Sequence, residues 1–171
     1  MVVIYMSNKT FETLVNKLRA QYPEIALQEG DMFYWSPKDQ TVYYSLQKND
    51  EVARWSLLHE VSHGLLKHKH YTSDFELLQL EVEAWEKAKQ LSEDYNIQIH
   101  EDHIQDCLDT YREWLHARSK CPTCSSRGIQ VDPKKYECTQ CHDAWQVSTA
   151  RFCRPYRMKM DKVRASKFVK N

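Results

Sequence analysis

Glycine is nearly absent from this chain: Gly30, Gly64 and Gly128 are the only three in 171 residues. No glycine loop that cradles phosphates can be built from them, which disfavours nucleotide-dependent chemistry. No apolar run approaches the roughly 20 residues that a membrane-spanning helix needs. The opening Met1–Met6 stretch is apolar, but it is too short for a signal-peptide core and lacks a cationic start. A cytoplasmic, reducing setting is therefore the expectation, with no membrane partner. Six cysteines in that setting point to metal ligation before disulfides. Net charge is also lacking, with 24 basic against 24 acidic residues, so the total gives no reason to expect nucleic acid. The distribution is less even. From Val147 to Asn171 eight basic residues face Asp161 alone, a net +7, and the first 146 residues carry the balancing −7.

What is present reads as an α+β chain. Phe11, Leu14, Val15 and Leu18 recur at helical spacing, predicting a helix from Asn8 to Gln21 that Pro23 ends. Two β-rich stretches follow, Met32–Trp35 and Thr41–Leu46, joined by turn residues Ser36–Gln40 as a hairpin. Its aromatics suit sheet packing better than base stacking. Asn49 and Asp50 are candidate caps for a helix from Glu51 to His68. Ser73 with Glu76 has the capping-box pattern ahead of a helix from Asp74 to Glu93. A third helix is predicted from Glu101 to Arg118, with Ile104, Cys107, Leu108, Tyr111 and Leu115 as its apolar stripe and Cys107 as a core thiol.

The strongest chemical signal is His59-Glu60-Val61-Ser62-His63. Residues i and i+4 share a helix face, so His59 and His63 can hold one metal ion, with Glu60 beside it as a general base. The apolar neighbours Trp55, Leu57, Leu58, Val61, Leu65 and Leu66 half-bury this helix, where two histidines and a carboxylate are costly without a partner. Catalytic zinc usually takes three protein ligands and keeps a position for water. The next helix offers Glu76, Glu81, Glu83 and Glu86. Glu81 has Ala84 and Ala88 on its own face, small residues that let its helix come close. Glu83 has Glu86 and Gln90 there instead, a solvated face. Glu81 is the expected third ligand and Glu83 the fallback. With zinc in place, bound water ionises near pH 7 and Glu60 takes its proton.

The segment His59-Glu60-Val61-Ser62-His63-Gly64-Leu65-Leu66-Lys67-His68 resembles the HExxH-x-LL-x-H signature of the ImmA/IrrE-type metallopeptidases. Glu81-Val82-Glu83-Ala84 with Ala88 is similar to their downstream E-x-x-A-[ND]-x-x-A motif. The resemblance covers about Thr41 to Leu91. It implies a compact gluzincin-like fold of helices plus a small antiparallel sheet, and site-specific cleavage of a partner protein, typically a DNA-binding repressor. It places metal binding on His59, His63 and Glu81 and catalysis on Glu60. Trp85 stands where that family usually has Asn or Asp, a residue that often orients a histidine ligand.

From Cys121 the texture changes. Cys121-Pro122-Thr123-Cys124 and Cys138-Thr139-Gln140-Cys141, 13 residues apart, have the spacing of a structural zinc ribbon. Ile129, Val131, Tyr136 and Trp145 suit its short strands, and Cys153 is left over as a free thiol. A redox-active Cys-x-x-Cys is the weaker reading because a βαβ context is missing. The ribbon stabilises a segment too small to fold alone, or binds nucleic acid together with the +7 tail. A ribbon after an HExxH domain also resembles the SprT-like proteases, which act on proteins bound to DNA. Their third ligand is a histidine on the following segment, and none lies between Tyr71 and Ile99.

These readings divide the chain into a zincin-like domain (1–118), a zinc ribbon (119–150) and a basic tail (151–171). They lead to an expected zinc endopeptidase with one catalytic and one structural Zn2+, a protein substrate that is DNA-associated, and possible DNA contact through ribbon and tail. The alternatives are a SprT-like protease for DNA–protein crosslinks and a non-catalytic nucleic-acid-binding or interaction protein on a degenerate metallopeptidase fold.

Overall fold

The structure is a computed structural model that describes residues 2–48, 50–148 and 157–160, with side chains from Thr10 onward. The predicted leftover thiol Cys153 and most of the basic tail lie outside the described residues. The chain packs as two compact units, one of Met1–His70 with Leu80–Ile104, the other of Tyr71–Gln79 with Gln105–Asn171. The change of texture near Ser119 marks where helix gives way to ribbon. It is not where the units divide, because the ribbon's unit also takes in residues 71–79 and 105–119.

In the first unit, α1 (Val2–Gln21) starts earlier than its apolar stripe indicates and ends as Pro23 dictates. Phe11, Leu14, Val15 and Leu18 are all buried, as their spacing predicts. A three-stranded sheet follows, formed by β1 (Ala26–Glu29), β2 (Tyr34–Ser36) and β3 (Thr41–Tyr44) in the order β1-β3-β2. The expected hairpin is the antiparallel pair β2–β3, with Trp35 opposite Val42. The sequence reading has no β1, which pairs parallel to β3, Leu27 opposite Val42. Arg19 fastens α1 to this sheet, its guanidinium donating to the Leu27 carbonyl at 2.9 Å and the Tyr44 hydroxyl at 3.1 Å. Phe11 meets Phe33 and Tyr44 edge-on and tilted, and Tyr34 stacks on Tyr43 at 4.5 Å.

Asp50 caps α2 (Glu51–Leu65), accepting from the Ala53 amide at 2.8 Å. The helix stops three residues short of its predicted end. Lys67 takes a left-handed φ of 56°, and the amides of Lys67 and His68 donate back to Gly64 and His63. That is the Schellman closure, with lysine where glycine is usual. The third and fourth helices are α3 (Asp74–Asp94) and α4 (Glu101–Ser119), each with turns in both units. Ser73 caps α3 through the Glu76 amide, as the capping box predicts. The return half goes one residue astray, to the amide and hydroxyl of Thr72, and these bonds lower the Glu76 pKa. Along α4, Ile104, Leu108 and Trp114 are buried, whereas Cys107, expected in the core, is half-buried.

In the second unit, β4 (Gly128–Asp132), β5 (Lys135–Cys138), β6 (Ala144–Val147) and β7 (Arg157–Lys159) form an antiparallel sheet in that order. Thus three residues of the expected tail are a fourth strand, registered on Trp145 to Val147. Cys121, Tyr136, Cys138, Trp145 and Val147 make its small core, with Tyr136 and Trp145 stacked. Ile129 and Val131 belong to β4 as expected, but they are exposed rather than packed. Gly128 is required here, because a Cβ would come within 2.3 Å of the Trp145 ring and 2.8 Å of the Glu137 carbonyl. A buried ion pair anchors the unit. Asp74 accepts from the Arg118 guanidinium at 2.5 and 3.2 Å and from the Tyr136 hydroxyl at 2.6 Å. Arg118 also donates to the Ser148 and Pro133 carbonyls, so every nitrogen of this buried guanidinium has a hydrogen-bond partner.

Candidate metal centres

Among the described residues two groups of side chains could hold a metal ion: His59, His63 and Glu81 in the first unit, and the four cysteines in the second. Both groups are those the sequence nominates.

The first group is built by α2 and α3. One helical turn puts the His59 and His63 Nε2 atoms 3.1 Å apart. Glu81 Oε2 lies 3.2 Å from the first and 3.7 Å from the second. All three residues are buried, and Ala84 and Ala88, the small residues on the Glu81 face, are fully so. Burial pushes the Glu81 carboxyl pKa up. Hydrogen bonds and charge from the two imidazoles outweigh it and hold the carboxyl well below the usual carboxylate range. Glu83, the fallback, is not in this group: its side chain is 56% exposed and reaches His68 Nε2 at 3.3 Å.

Glu60 is half-buried beside these ligands on α2. The backbone N–H of Trp35 on β2 donates to its Oε2 at 2.8 Å. The indole of the same Trp35 donates to the His68 carbonyl at 2.9 Å. Between those two bonds its ring lies over Gly64, where a Cβ would sit 3.1 Å from the indole and 2.9 Å from Ile25. Gly64 is therefore a packing glycine, and Trp35 is a clamp on the helix that carries the site. Nothing in the sequence marks that role. The hairpin's alternation places Trp35 on a strand, but only the docked sheet shows which backbone amide meets Glu60.

The two histidines are supported differently. His63 Nδ1 lies 2.9 Å from His68 Nδ1, and burial first, then the neighbouring His63, lowers the His68 pKa, favouring a neutral ring. His59 Nδ1 is buried with no hydrogen-bond partner among the described residues. Trp85 stacks against the His59 ring instead, at 4.2 Å between centroids and 26° between planes. The residue expected to depart from a hydrogen-bonding second partner is thus a stacking one. His103 extends this aromatic wall at 5.6 Å from Trp85, and Trp55 follows at 4.8 Å from His103.

The second group is two knuckles related by a local repeat. Cys121 N–H donates to the Ser126 carbonyl and Cys138 N–H to the Asp143 carbonyl, five residues on in each case. Ser125 and His142, each directly after its Cys-x-x-Cys, take left-handed φ values of 62° and 59°. Amides of Thr123, Gln140 and Cys141 point at the Cys121 and Cys138 sulfurs at 3.3 to 3.4 Å. The sulfurs converge, with Cys121–Cys141 at 3.7 Å and Cys124–Cys138 at 3.4 Å. Hydrogen bonds from the Ser126 side chain and backbone hold the Cys124 thiol down at about 6, which presents a thiolate at neutral pH. For Cys141 the Asp143 amide acts to lower the pKa, but burial and the neighbouring sulfurs push it up to about 12.

Comparison with protein-family models, with curated proteins and with solved structures finds no match to this chain. The class the residues define is an α+β protein with two groups of side chains that could each hold a metal ion. No helix among the described residues is long and apolar enough to cross a membrane.

Proposed function

We propose that this chain is a zinc-dependent endopeptidase of the ImmA/IrrE type, cleaving a DNA-associated protein, with a structural zinc in the ribbon. The observation that carries it is the convergence of His59 Nε2, His63 Nε2 and Glu81 Oε2 with edges of 3.1, 3.2 and 3.7 Å. A tetrahedral zinc with nitrogen and oxygen ligands at about 2.0–2.1 Å has edges of about 3.3 Å. The donor set is neutral imidazole with one carboxylate, and three protein ligands leave a fourth position open. The cysteine sulfurs at 3.4 and 3.7 Å lie just under the edge of about 3.8 Å that tetrahedral thiolate ligation at about 2.3 Å requires. Those four donors close the second site, so it has a structural role only.

Bound zinc supplies Lewis acidity that brings the pKa of a coordinated water to about 7. The chain's own residues do the rest. The Trp35 amide holds one oxygen of Glu60, and the other has no partner among the described residues. That free oxygen can accept the water proton and later deliver it to the leaving amine. Of the side chains near this helix that could donate to the oxyanion, Tyr43, His68, His70 and Tyr71, His68 is engaged by His63 and Glu83. The glutamate third ligand favours this reading over a SprT-like protease with three histidines. The ribbon, with β7 using Arg157 and Lys159 for contacts to the Lys120 carbonyl and Asp143, leaves fewer of the basic residues for DNA than the count suggests.

A second reading, a non-catalytic metal-binding interaction protein, is favoured by one observation: Trp85 leaves His59 Nδ1 without a hydrogen bond. One experiment separates the two. The purified chain should hold two zinc ions, and Glu60→Gln should keep both while losing cleavage of the partner protein by at least about 100-fold, at the lower end of general-base contributions. Cleavage unaffected by Glu60→Gln sinks the peptidase proposal, and a single zinc, lost with Cys121→Ser, sinks the first metal centre itself.

A further inference from the structure

We propose that His68, backed by Glu83, is the positioning residue that orients the ligand His63, while His59 is oriented by stacking on Trp85 in place of a hydrogen bond to its Nδ1. The proposal rests on reading His59, His63 and Glu81 as a metal centre, and it concerns how that centre is held.

The chain reversal at Lys67 makes it possible. On a continuing helix His68 would be five residues from His63, about 500° of rotation, and would point away from it. The Schellman closure ends the helix first, and the His68 amide donates to the His63 carbonyl at 3.0 Å. Its ring then lies against the His63 ring, centroids 5.0 Å apart at 71°, with the two Nδ1 atoms at 2.9 Å. The Trp35 indole holds the His68 carbonyl, so backbone and ring are both fixed.

Proton placement then follows in one direction. A histidine that ligates through Nε2 keeps its proton on Nδ1. His63 Nδ1–H must donate, so His68 Nδ1 accepts and its proton sits on Nε2. That Nε2–H meets Glu83 Oε2 at 3.3 Å. The sequence of groups is metal ligand, imidazole, imidazole, carboxylate, each bond using the only tautomer the previous one allows. Metal-bound histidines are generally fixed by such an outer acceptor, and losing it typically costs about 10- to 100-fold in metal affinity. Here an imidazole fills that place, and a solvent-exposed carboxylate polarises it. His59 has no equivalent: its Nδ1 is unpartnered among the described residues, and the Trp85 ring takes over the orienting role.

The test uses the full zinc-loaded chain, with zinc affinity measured by competition against a chromophoric chelator. His68→Phe should weaken the His59/His63/Glu81 site about 10- to 100-fold and leave the cysteine site unchanged. His68→Asn, which keeps an acceptor near the position of Nδ1, should recover most of that loss; a merely structural role would not be rescued this way. Imidazole nitrogen NMR of the unchanged protein should show His63 protonated at Nδ1 and His68 at Nε2. Zinc affinity untouched by His68→Phe, or a His68 proton found on Nδ1, overturns the proposal. If His68→Phe does not fold, Glu83→Gln at the exposed carboxylate decides: several-fold weaker binding supports the relay, and unchanged affinity overturns it. Failure of the metal-centre reading is distinguishable, because the unchanged protein would then hold only the ribbon's zinc.

Discussion

The two groups of this chain that could hold a metal ion are built on opposite plans. The cysteine group is local: each pair lies within four residues, followed by a left-handed residue and a backbone bond five residues on, and the plan is executed twice. Four sulfurs surround the centre, and the amides that point at them come from the same two loops. The histidine–glutamate group is assembled from two helices, with His59 and Glu81 22 positions apart in sequence, and its supports come from a strand, a chain reversal and a stacked indole. The first plan closes a site by repetition. The second supplies three donors rather than four and gives its two histidines different supports. That difference is why a structural role suits one and chemistry suits the other.

Breaking one centre should leave the other, because each lies wholly within its own compact unit. The largest effect expected is from Cys138→Ser, which removes a buried sulfur of the closed site. Structural zinc contributes about 10–16 kcal/mol to small zinc-finger peptides at neutral pH. The substitution should therefore release one zinc and abolish cooperative unfolding of the second unit, followed by circular dichroism and metal analysis. Zinc at His59, His63 and Glu81 should persist. Loss of both ions together would refute the independence of the two plans.

Next comes Trp85→Ala, which tests whether stacking really substitutes for a hydrogen bond at His59. Trp85 is buried, and truncating a buried tryptophan to alanine costs about 3–5 kcal/mol of stability. Chemical denaturation should show that loss, and zinc affinity at the histidine centre should fall with it. Trp85→Phe keeps an aromatic face and should retain most of the affinity. If Trp85→Ala destabilises the fold but binds zinc as before, the indole is core packing and orients nothing.

The same contrast explains what could be read in advance. The cysteine ribbon and the HEVSH helix are periodic or local patterns, so their residues could be named from spacing alone. Glu81 is legible too, because Ala84 and Ala88 on its face are small enough to let its helix come close, and both are buried. What escaped depends on tertiary placement. β1 is four residues with one buried side chain, Leu27, so it has almost no alternation to detect. β7, Arg-Met-Lys, hides in a basic run and exists as a strand only through its pairing with β6. The Trp35 amide that holds Glu60 is a backbone group and has no letter in the sequence. The predicted end of α2 at His68 was wrong because lysine, not glycine, occupies the left-handed position.

That lysine gives the smallest and most pointed test. At φ 56° a side chain crowds the backbone, and for L residues the left-handed region costs roughly 1–2 kcal/mol. Glycine would remove that strain, but it gives the unfolded chain more freedom, worth about 0.4–1 kcal/mol against folding. Lys67→Gly should therefore stabilise the protein by up to about 1 kcal/mol in denaturant unfolding. Because the closure that carries His68 back onto His63 becomes easier to form, zinc affinity should hold or rise slightly. Lys67→Pro cannot adopt a positive φ and lacks the N–H that bonds Gly64. It should open the reversal, and zinc affinity should then fall as it does for His68→Phe. Equal zinc affinity in the glycine and proline variants would mean that the reversal is only a way of ending a helix. Opposite responses would tie the ligand geometry of the histidine–glutamate group to a turn that contributes no ligand to it.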